Sequence, residues 1–416
     1  MEITTVGALF GLSIAILLII KKVPPAYSMI FGALIGGVVG GAGLQGSVNY
    51  MIGGAQDIMT AVVRIVASGV LAGTLIQSGA ATKIADQIIK VLGEKRAIFA
   101  LALSTMILTG VGVFGDVAVI TVAPIAISMG KKLGYSKFVL LVAMVGGEKA
   151  GMVISPNPNT IAAAENFNVS LSSLMGAGLI PGIFGLIMTV FMCKGLMKKY
   201  PGVIEEAGEV TEQVDLPSFL AAAIGPIVVI ILLMLRPLAG ITIDPLVALP
   251  LGGFVGIIAM NRRDKTIDYL SFGLQKMMPV GILLIGTGTI SGIIKASQLQ
   301  ADMTTLVELL NLPEFLLAPI SGALMGAATA SSSAGATIAA STFAPIITTV
   351  VSPLAGAAML HAGTIVLDTL PHGSFFHASA GAVDMSVADR IKLLPIDFVI
   401  GMTITIASTI IYGVIL

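Results

Sequence analysis

Apolar stretches of membrane-spanning length recur along the whole chain, and they constrain its fold more than any other feature. A helix needs about 20 mostly apolar residues to cross a bilayer. Of the 416 residues, 56% are hydrophobic and 11% are charged, whereas a soluble domain carries about 25% charged residues. We therefore predict an all-α polytopic membrane protein. This composition, with Cys193 as the one cysteine, argues against a soluble enzyme or a secreted disulfide-rich domain.

The apolar stretches fall into two similar halves joined by a hydrophilic segment at 196–217, which we predict to be a cytoplasmic linker. Each half is predicted to contain scaffold helices, an amphipathic segment, a re-entrant hairpin, a broken helix and a last span. In the first half, 1–195, these are 5–78, 79–96, 97–130, 136–165 and 172–193. In the second half, 218–416, they are 218–294, 295–312, 313–350, 353–382 and 395–416.

The distribution of charge predicts the orientation, because cytoplasmic loops carry an excess of lysine and arginine. With Lys21 and Lys22 inside, the loops at 44–57 and 162–171, which have no basic residue, fall outside. This arrangement requires both hairpins to enter and leave the membrane on one side. It also makes the halves inverted repeats, since the first starts outside and the second inside. We therefore predict an elevator-type secondary transporter with a static scaffold.

Four places interrupt the apolar helices, two in each half. They are hairpin tips near 109–117 and 327–337, and helix breaks near 154–160 and 368–377. Irregular backbone at membrane depth survives inside protein or beside a watery cavity, and paired breaks in inverted repeats mark a transporter site. The N-termini of half-helices suit a carboxylate, because they offer unpaired N–H groups and partial positive charge. The alternative is that these glycines and prolines only permit close helix packing.

Neutral donors and acceptors at the breaks are the predicted substrate contacts. Because each half contributes one tip and one break, we expect both halves to build a single site. Serine hydroxyls also bond to their own helix, so the serine cluster is predicted as a group. The predicted substrate-binding residues are Asn157, Asn159, Thr160, Ser331, Ser332, Ser333, Thr369, His372 and Ser374.

Ionisable residues at the breaks are the predicted coupling-ion groups. A charge in the membrane costs at least about 2.5 kcal/mol on insertion scales, which favours a functional role. For Asp116 the alternative is a structural ion pair with Arg64, and for the adjacent Glu148 and Lys149 it is structural pairing. The predicted coupling residues are Asp116, Glu148, Asp368 and His372.

The three histidines of the chain, His361, His372 and His377, lie close together in the second half. Histidine is a natural proton carrier near neutral pH, and His372, within the break, is the first candidate, followed by His377. His361 is as readily a packed helix residue. A zinc site is the competing interpretation, but neither cysteine nor a close carboxylate pair completes a ligand set. We predict neither a metal nor a cofactor, since no phosphate-binding or dinucleotide motif occurs.

Several motifs resemble the gluconate permease family. In the first half they are LIQSGAATKIADQIIKVLGEKRA, GVFGDVAVITVAPI and SPNPNTIAAAENF, and in the second half GAATASSSAGATIAASTFAPI and HAGTIVLDTLPHGSFFH. The resemblance covers essentially the whole chain. It implies the ion-transporter superfamily fold and proton-linked uptake of sugar acids or small hydroxy acids of the gluconate, glycerate or hydroxybutyrate type. The chain departs from the family in Ser-Pro-Asn-Pro-Asn at the first break and in Asp116, where glutamate is usual.

The leading hypothesis is a proton-coupled symporter for a small organic anion. We expect it to be a homodimer in the lipid bilayer of the bacterial cytoplasmic membrane, without a nucleic-acid partner. The alternatives are a sodium/proton antiporter or a sodium-coupled carboxylate transporter of the same superfamily. Amide- and hydroxyl-rich breaks favour the symporter, because an antiporter site concentrates carboxylates. A channel requires a continuous polar pore and a receptor usually a soluble domain, and the sequence suggests neither.

Overall fold

The computed structural model describes residues 3–200, 216–299, 302, 313–371 and 373–415. Within these residues every regular element is a helix. An isolated β-bridge joins Ile3 to Ser297. The all-α prediction is thus confirmed for the described part of the chain. Most of the predicted linker and of the amphipathic segment 295–312 lies outside the described residues, as does His372.

The helices follow the same broad order in the two halves. In the first half, α1 to α11 are Thr5–Ile20, Pro25–Val39, Gly43–Asp57, Met59–Gln77, Ala80–Leu92, Ala97–Gly110, Gly115–Leu133, Lys137–Met152, Pro158–Asn166, Leu171–Ala177 and Leu179–Lys199. In the described part of the second half, α12 to α20 are Phe219–Ala239, Pro245–Ala259, Thr266–Lys295, Leu317–Thr329, Ser332–Ile347, Pro353–Thr364, Ser374–Ala382, Val387–Ile391 and Leu394–Thr409.

The helices have the length and surface of a membrane protein. On α11, Ile187 and Phe191 are 60% and 64% exposed, and large apolar side chains are exposed on many other helices. An apolar surface of this extent suits lipid better than water, so the fold is polytopic. Four helical stretches in the described residues are long and apolar enough to cross a membrane: Met59–Gln77, Leu171–Lys199, Arg263–Lys295 and Val387–Ile415.

Helices α1 to α4 and α12 to α14 form one bundle, which we call the scaffold bundle. Its long helix α14 packs against α2, α3 and α4. Residues 44–57, predicted to be an external loop, instead belong to α3, which buries Ser47, Met51 and Gly54. Gly54 allows the close contact with α14, because a Cβ there would overlap the backbone of Gly288 and Gly292. The prediction failed because α3 is short and contacts protein, so it lacks the apolar run of a lipid-facing helix.

The two stretches predicted as hairpins are pairs of helices with tight turns. The first turn joins α6 to α7 through residues 111–114, where Gly112 has a φ of +100° that favours glycine. The second joins α15 to α16 through residues 330–331, where Ala330 has a left-handed φ of +45°. Both turns are therefore short enough to bring a helix N-terminus directly behind each tip.

The two stretches predicted as broken helices are α8 with α9 and α17 with α18. Helix α8 ends at Met152 and α9 begins at Pro158, because proline has no N–H and disfavours helical backbone in the residue before it. Helix α17 ends at Thr364 and α18 begins at Ser374. The hairpins pack on these helices, α6 on α8 and α15 on α17. The breaks and tips therefore belong to one packed group of helices.

Candidate functional site

A cavity of about 360 Å³ lies where the hairpin tips and the helix breaks meet, and we call it the central cavity. Both halves of the chain form its walls, and α14 contributes from the scaffold bundle. Its volume is at the small end of the roughly 300–1,000 Å³ typical of small-molecule sites. The residues that line it are Phe114, Gly115, Asp116, Glu148, Met152, Asn157, Pro158, Asn159, Lys276, Pro279, Val280, Ala330, Ser331, Ser332, Ser333, Asp368, Ser374 and Phe375.

Most of the predicted substrate contacts lie in this cavity. Thr160 and Thr369 are buried but do not line it. Thr160 instead donates its hydroxyl to Asn157 Oδ1 at 3.0 Å. His372 lies outside the described residues, so its position stays a prediction. The six of nine predicted residues that line the cavity are Asn157, Asn159, Ser331, Ser332, Ser333 and Ser374.

The N-termini of four helices meet at the central cavity. They are those of α7 at Gly115, α9 at Pro158, α16 at Ser332 and α18 at Ser374. First-turn N–H groups have no partner within their own helix, and each N-terminus carries a partial positive charge. Three of the N-termini have one first-turn N–H that a side chain already accepts: Asn157 Oδ1 accepts from Thr160 N at 3.2 Å, Ser331 Oγ from Ala334 N at 3.3 Å, and Asp116 Oδ1 from Val117 N at 2.9 Å. The remaining N–H groups make the cavity favourable for an anion.

Two of the predicted coupling residues bring carboxyl groups to the cavity from neighbouring helices. Glu148, on α8, is 1% exposed, and its Oε2 has no hydrogen-bond partner among the described residues. Its Oε1 lies so close to Gly115 that a Cβ on that glycine would overlap it. Asp116, in the first turn of α7, is half-buried and accepts a hydrogen bond from the N–H of Val117 at 2.9 Å. An ionised Glu148 therefore lacks the compensation that a buried carboxylate requires.

The third predicted coupling residue, Asp368, forms a buried ion pair with Lys149. Lys149 Nζ donates to the Asp368 carboxylate and to the carbonyl oxygen of Ile365, and both charged side chains are almost fully buried. Glu148 and Lys149, although adjacent, thus point to different surroundings: Glu148 lines the cavity, and Lys149 contacts Asp368. The ion pair joins α8 in the first half to the break after α17 in the second half, so it connects the two halves beside the cavity.

The suggested ion pair between Asp116 and Arg64 is wrong. Arg64, on α4, instead pairs with Glu165 at the end of α9 and with Asp244 before α13. Its Nε donates to Asp244 Oδ1 at 3.0 Å. This hydrogen bonding lowers the pKa of the Asp244 carboxyl below its usual value. These three residues line a second cavity of about 320 Å³, and they connect the scaffold bundle to the broken helix.

Of the two histidines that the structure describes, one is placed behind the cavity. His361 is 1% exposed on α17, and its Nε2 lies 3.0 Å from Nδ2 of Asn159. It therefore orients a residue of the cavity wall without lining the cavity. His377 is exposed on α18, with its Nε2 2.9 Å from the carbonyl oxygen of Pro371.

The sequence analysis missed Lys276, which lines the central cavity from α14. The predicted scaffold region 218–294 is apolar over most of its length, so one lysine in the interior of a helix of 30 residues does not stand out. The sequence feature that could have identified Lys276 is its position near Pro279, well inside an apolar helix. What the sequence does not show is which side of α14 faces the cavity.

Comparison with known proteins identifies the family. The sequence profile of GntP family permeases matches residues 3–415. The chain belongs to the GntP permease family. The resemblance inferred from the motifs is therefore confirmed, and the family identifies the protein as a transporter.

Two relatives illustrate the similarity to other proteins of the family. A Haemophilus influenzae protein called an uncharacterized transporter is 52% identical over 413 residues, which cover 99% of this chain and 99% of that protein. The high-affinity gluconate transporter of Escherichia coli is 23% identical over 425 residues, with 92% of each chain covered. The relationship thus extends over whole chains.

A solved structure has the same fold. The crystal structure of the YdaH transporter from Alcanivorax borkumensis matches 91% of this chain and 89% of its own with a TM-score of 0.66. The two sequences are 14% identical, so the likeness concerns the fold alone.

Proposed function

We propose that this protein is a proton-coupled symporter that takes up a small hydroxylated carboxylate across the bacterial cytoplasmic membrane. The observation that carries the proposal is the meeting of four helix N-termini at one cavity whose walls also hold amide and hydroxyl side chains. The N-termini attract a carboxylate, and side chains such as Asn157 and Ser331 pair with hydroxyl groups. The similarity to a gluconate transporter supports this class of substrate.

The coupling mechanism follows from the carboxyl groups in the same cavity. Lys149 already neutralises Asp368, which leaves Glu148 and Asp116 as the carboxyl groups among the described lining residues that can take up a proton. A proton on either group removes a negative charge beside the incoming anion. The loaded protein then moves through the low-dielectric membrane with less uncompensated charge.

A second candidate is a sodium/proton antiporter of the same superfamily. The observation that favours it is the presence of three carboxyl groups, those of Asp116, Glu148 and Asp368, in the cavity wall. A sodium-coupled carboxylate transporter combines features of both candidates. The symporter remains the first proposal because an antiporter has no use for the amide and hydroxyl groups of both halves.

Uptake into proteoliposomes distinguishes these functions. We expect vesicles with an alkaline lumen to accumulate labelled gluconate or a shorter hydroxy acid when no sodium gradient is imposed. Accumulation that requires a sodium gradient and ignores pH would contradict proton coupling. Sodium/proton exchange without organic-acid uptake would identify the antiporter instead.

We also propose that the halves are inverted repeats and that the protein works as an elevator. The hairpins and broken helices recur in the same order in both halves, which supports the repeat. They pack on one another, and the scaffold bundle packs mainly on itself. In this mechanism the hairpins and broken helices, α6 to α9 and α15 to α18, move together past the scaffold bundle with the central cavity.

The ion pair between Arg64 and Glu165 offers a direct test of the elevator. Arg64 lies on the scaffold bundle and Glu165 on the moving α9, so the two must separate during transport. Arg64→Cys with Glu165→Cys, joined by a short bifunctional thiol reagent, is expected to stop uptake. Arg64→Cys with Asp244→Cys is the matched control, because both positions belong to the scaffold bundle and should keep uptake after the same treatment.

Native Cys193 does not interfere with this test, because it is fully buried. Undiminished uptake by the protein joined between positions 64 and 165 would show that α4 and α9 do not separate. The elevator proposal would then be wrong, and local gating would be the remaining mechanism.

A further inference from the structure

We propose that Lys276 is the cationic contact for the carboxylate of the substrate, and that it restricts the central cavity to monocarboxylates. This inference rests on the proposed function and adds the anchor of the substrate and its charge. It concerns a scaffold residue that belongs to neither the tips nor the breaks.

The charges in the cavity wall single out Lys276. The other charged residues that line the central cavity are Asp116, Glu148 and Asp368, all of them acidic. Lys149 lies behind the wall and is committed to Asp368. Lys276 has no ion pair with any carboxylate in the described residues, and its Nζ lies 5.6 Å from the centre of the Phe272 ring. Among the described lining residues it is thus the one cation left for a ligand.

The depth of Lys276 makes a purely structural role unfavourable. It lies ten residues after Thr266, where α14 begins, which places it about 15 Å along the helix at a rise of 1.5 Å per residue. Lys276 thus lies well inside the apolar stretch Arg263–Lys295, away from the charged residues at its start. A lysine inside a membrane helix is unfavourable unless a partner compensates its charge. A cation at this depth is therefore expected to serve an anion.

The position of Lys276 gives the substrate a direction. The carboxylate lies between Lys276 on α14 and the helix N-termini of the breaks and tips, and the hydroxyl groups pair with amide and serine side chains such as Asn157 and Ser331. Because α14 belongs to the scaffold bundle, the elevator movement breaks the contact with Lys276. Lys276 therefore strengthens substrate binding in the state that the structure presents. After the movement the contact is lost, and the substrate is bound more weakly.

The single free cation among the described lining residues also sets the number of charges. A second carboxylate on the substrate would lie among Asp116, Glu148 and the paired Asp368 without a cation of its own. Like charges that share one low-dielectric site repel each other. We therefore expect the protein to bind hydroxylated monocarboxylates and to reject dicarboxylates of the same length.

The test is binding to the purified full-length protein, with gluconate, its uncharged amide and the corresponding dicarboxylate as probes. Lys276→Met should weaken gluconate binding by about tenfold or more, as expected for the loss of a charge-assisted hydrogen bond, and leave amide binding nearly unchanged. Lys276→Arg should retain most of the gluconate affinity. The matched control is Lys295→Met, since Lys295 lies on the same helix but pairs with Asp57 at 2.9 Å.

A second measurement does not depend on the affinity of the methionine variant. Val280→Cys keeps Lys276 in place and introduces a thiol in the cavity wall one turn further along α14, while native Cys193 is fully buried. Gluconate should slow the reaction of this thiol with a water-soluble reagent, and the dicarboxylate should not.

The outcomes separate the inference from the proposed function. If wild type binds gluconate or a shorter hydroxy acid and Lys276→Met binds it equally well, Lys276 is not the anchor and the inference alone is wrong. Equal binding of the dicarboxylate would overturn the charge restriction. If wild type binds and transports no carboxylate at all, the proposed function is wrong and the assignment of Lys276 falls with it.

Discussion

Glu148→Gln is expected to abolish the accumulation of substrate against its gradient while substrate exchange across the membrane continues. Glu148 lines the central cavity almost fully buried, with Oε2 unpartnered among the described residues. Glutamine keeps the size of the side chain but neither gains nor loses a proton. The variant should therefore bind and exchange substrate, and a pH gradient should no longer drive its uptake beyond equal concentrations on the two sides.

The measurement compares pH-driven accumulation with counterflow of labelled substrate in proteoliposomes. Glu94→Gln is the matched control, because Glu94 is exposed and pairs with Lys132 away from the cavity. If Glu148→Gln still concentrates substrate under a pH gradient, Glu148 does not carry the coupled proton.

Asp116 is also a predicted coupling residue, so Asp116→Asn is expected to show the same loss of accumulation and belongs in the same experiment. Asp116 is half-buried and already accepts a hydrogen bond from the Val117 N–H, whereas Glu148 is almost fully buried and its Oε2 has no partner among the described residues. The structure therefore makes Glu148 the stronger candidate of the two. If Asp116→Asn still accumulates substrate and Glu148→Gln does not, Glu148 is the coupling group and Asp116 is a structural residue.

The positions of the breaks could be predicted because their signals are local. The run Ser155-Pro156-Asn157-Pro158 interrupts a helix wherever it occurs, since proline lacks the N–H that a helix needs. Asn157 then caps the next helix, as its residue type favours. Backbone breaks in a membrane segment require a polar environment, so the prediction of a cavity also followed from local sequence.

The partners of the charged residues could not be predicted in this way. Lys149 and Asp368 are 219 positions apart, and Arg64 and Glu165 are 101 apart. No periodicity or spacing links such residues, because their contact depends on how the two halves pack. For the same reason the sequence suggests the wrong partner for Arg64 and a loop in place of α3.

Lys149→Met is expected to destabilise the folded protein strongly. Removing one partner of a buried ion pair leaves the other charge uncompensated, at a cost of about 3–5 kcal/mol. The pair with Asp368 is almost fully buried, so solvent does not screen the remaining carboxylate. Thermal unfolding of the purified protein should show the loss. The control is Lys137→Met, since Lys137 contacts Asp384 at 3.6 Å where that carboxylate is 89% exposed, and such pairs contribute about 0–1 kcal/mol.

The double variant Lys149→Met with Asp368→Leu separates a structural role from a role in coupling. Because it removes both buried charges, it should recover most of the stability lost in the single variant. If it unfolds as readily as Lys149→Met, the pair does not account for the loss. If it is stable and still accumulates substrate, Asp368 is a structural partner that holds the two breaks together. A stable double variant that exchanges but no longer accumulates substrate would instead assign Asp368 to the coupling pathway with Glu148.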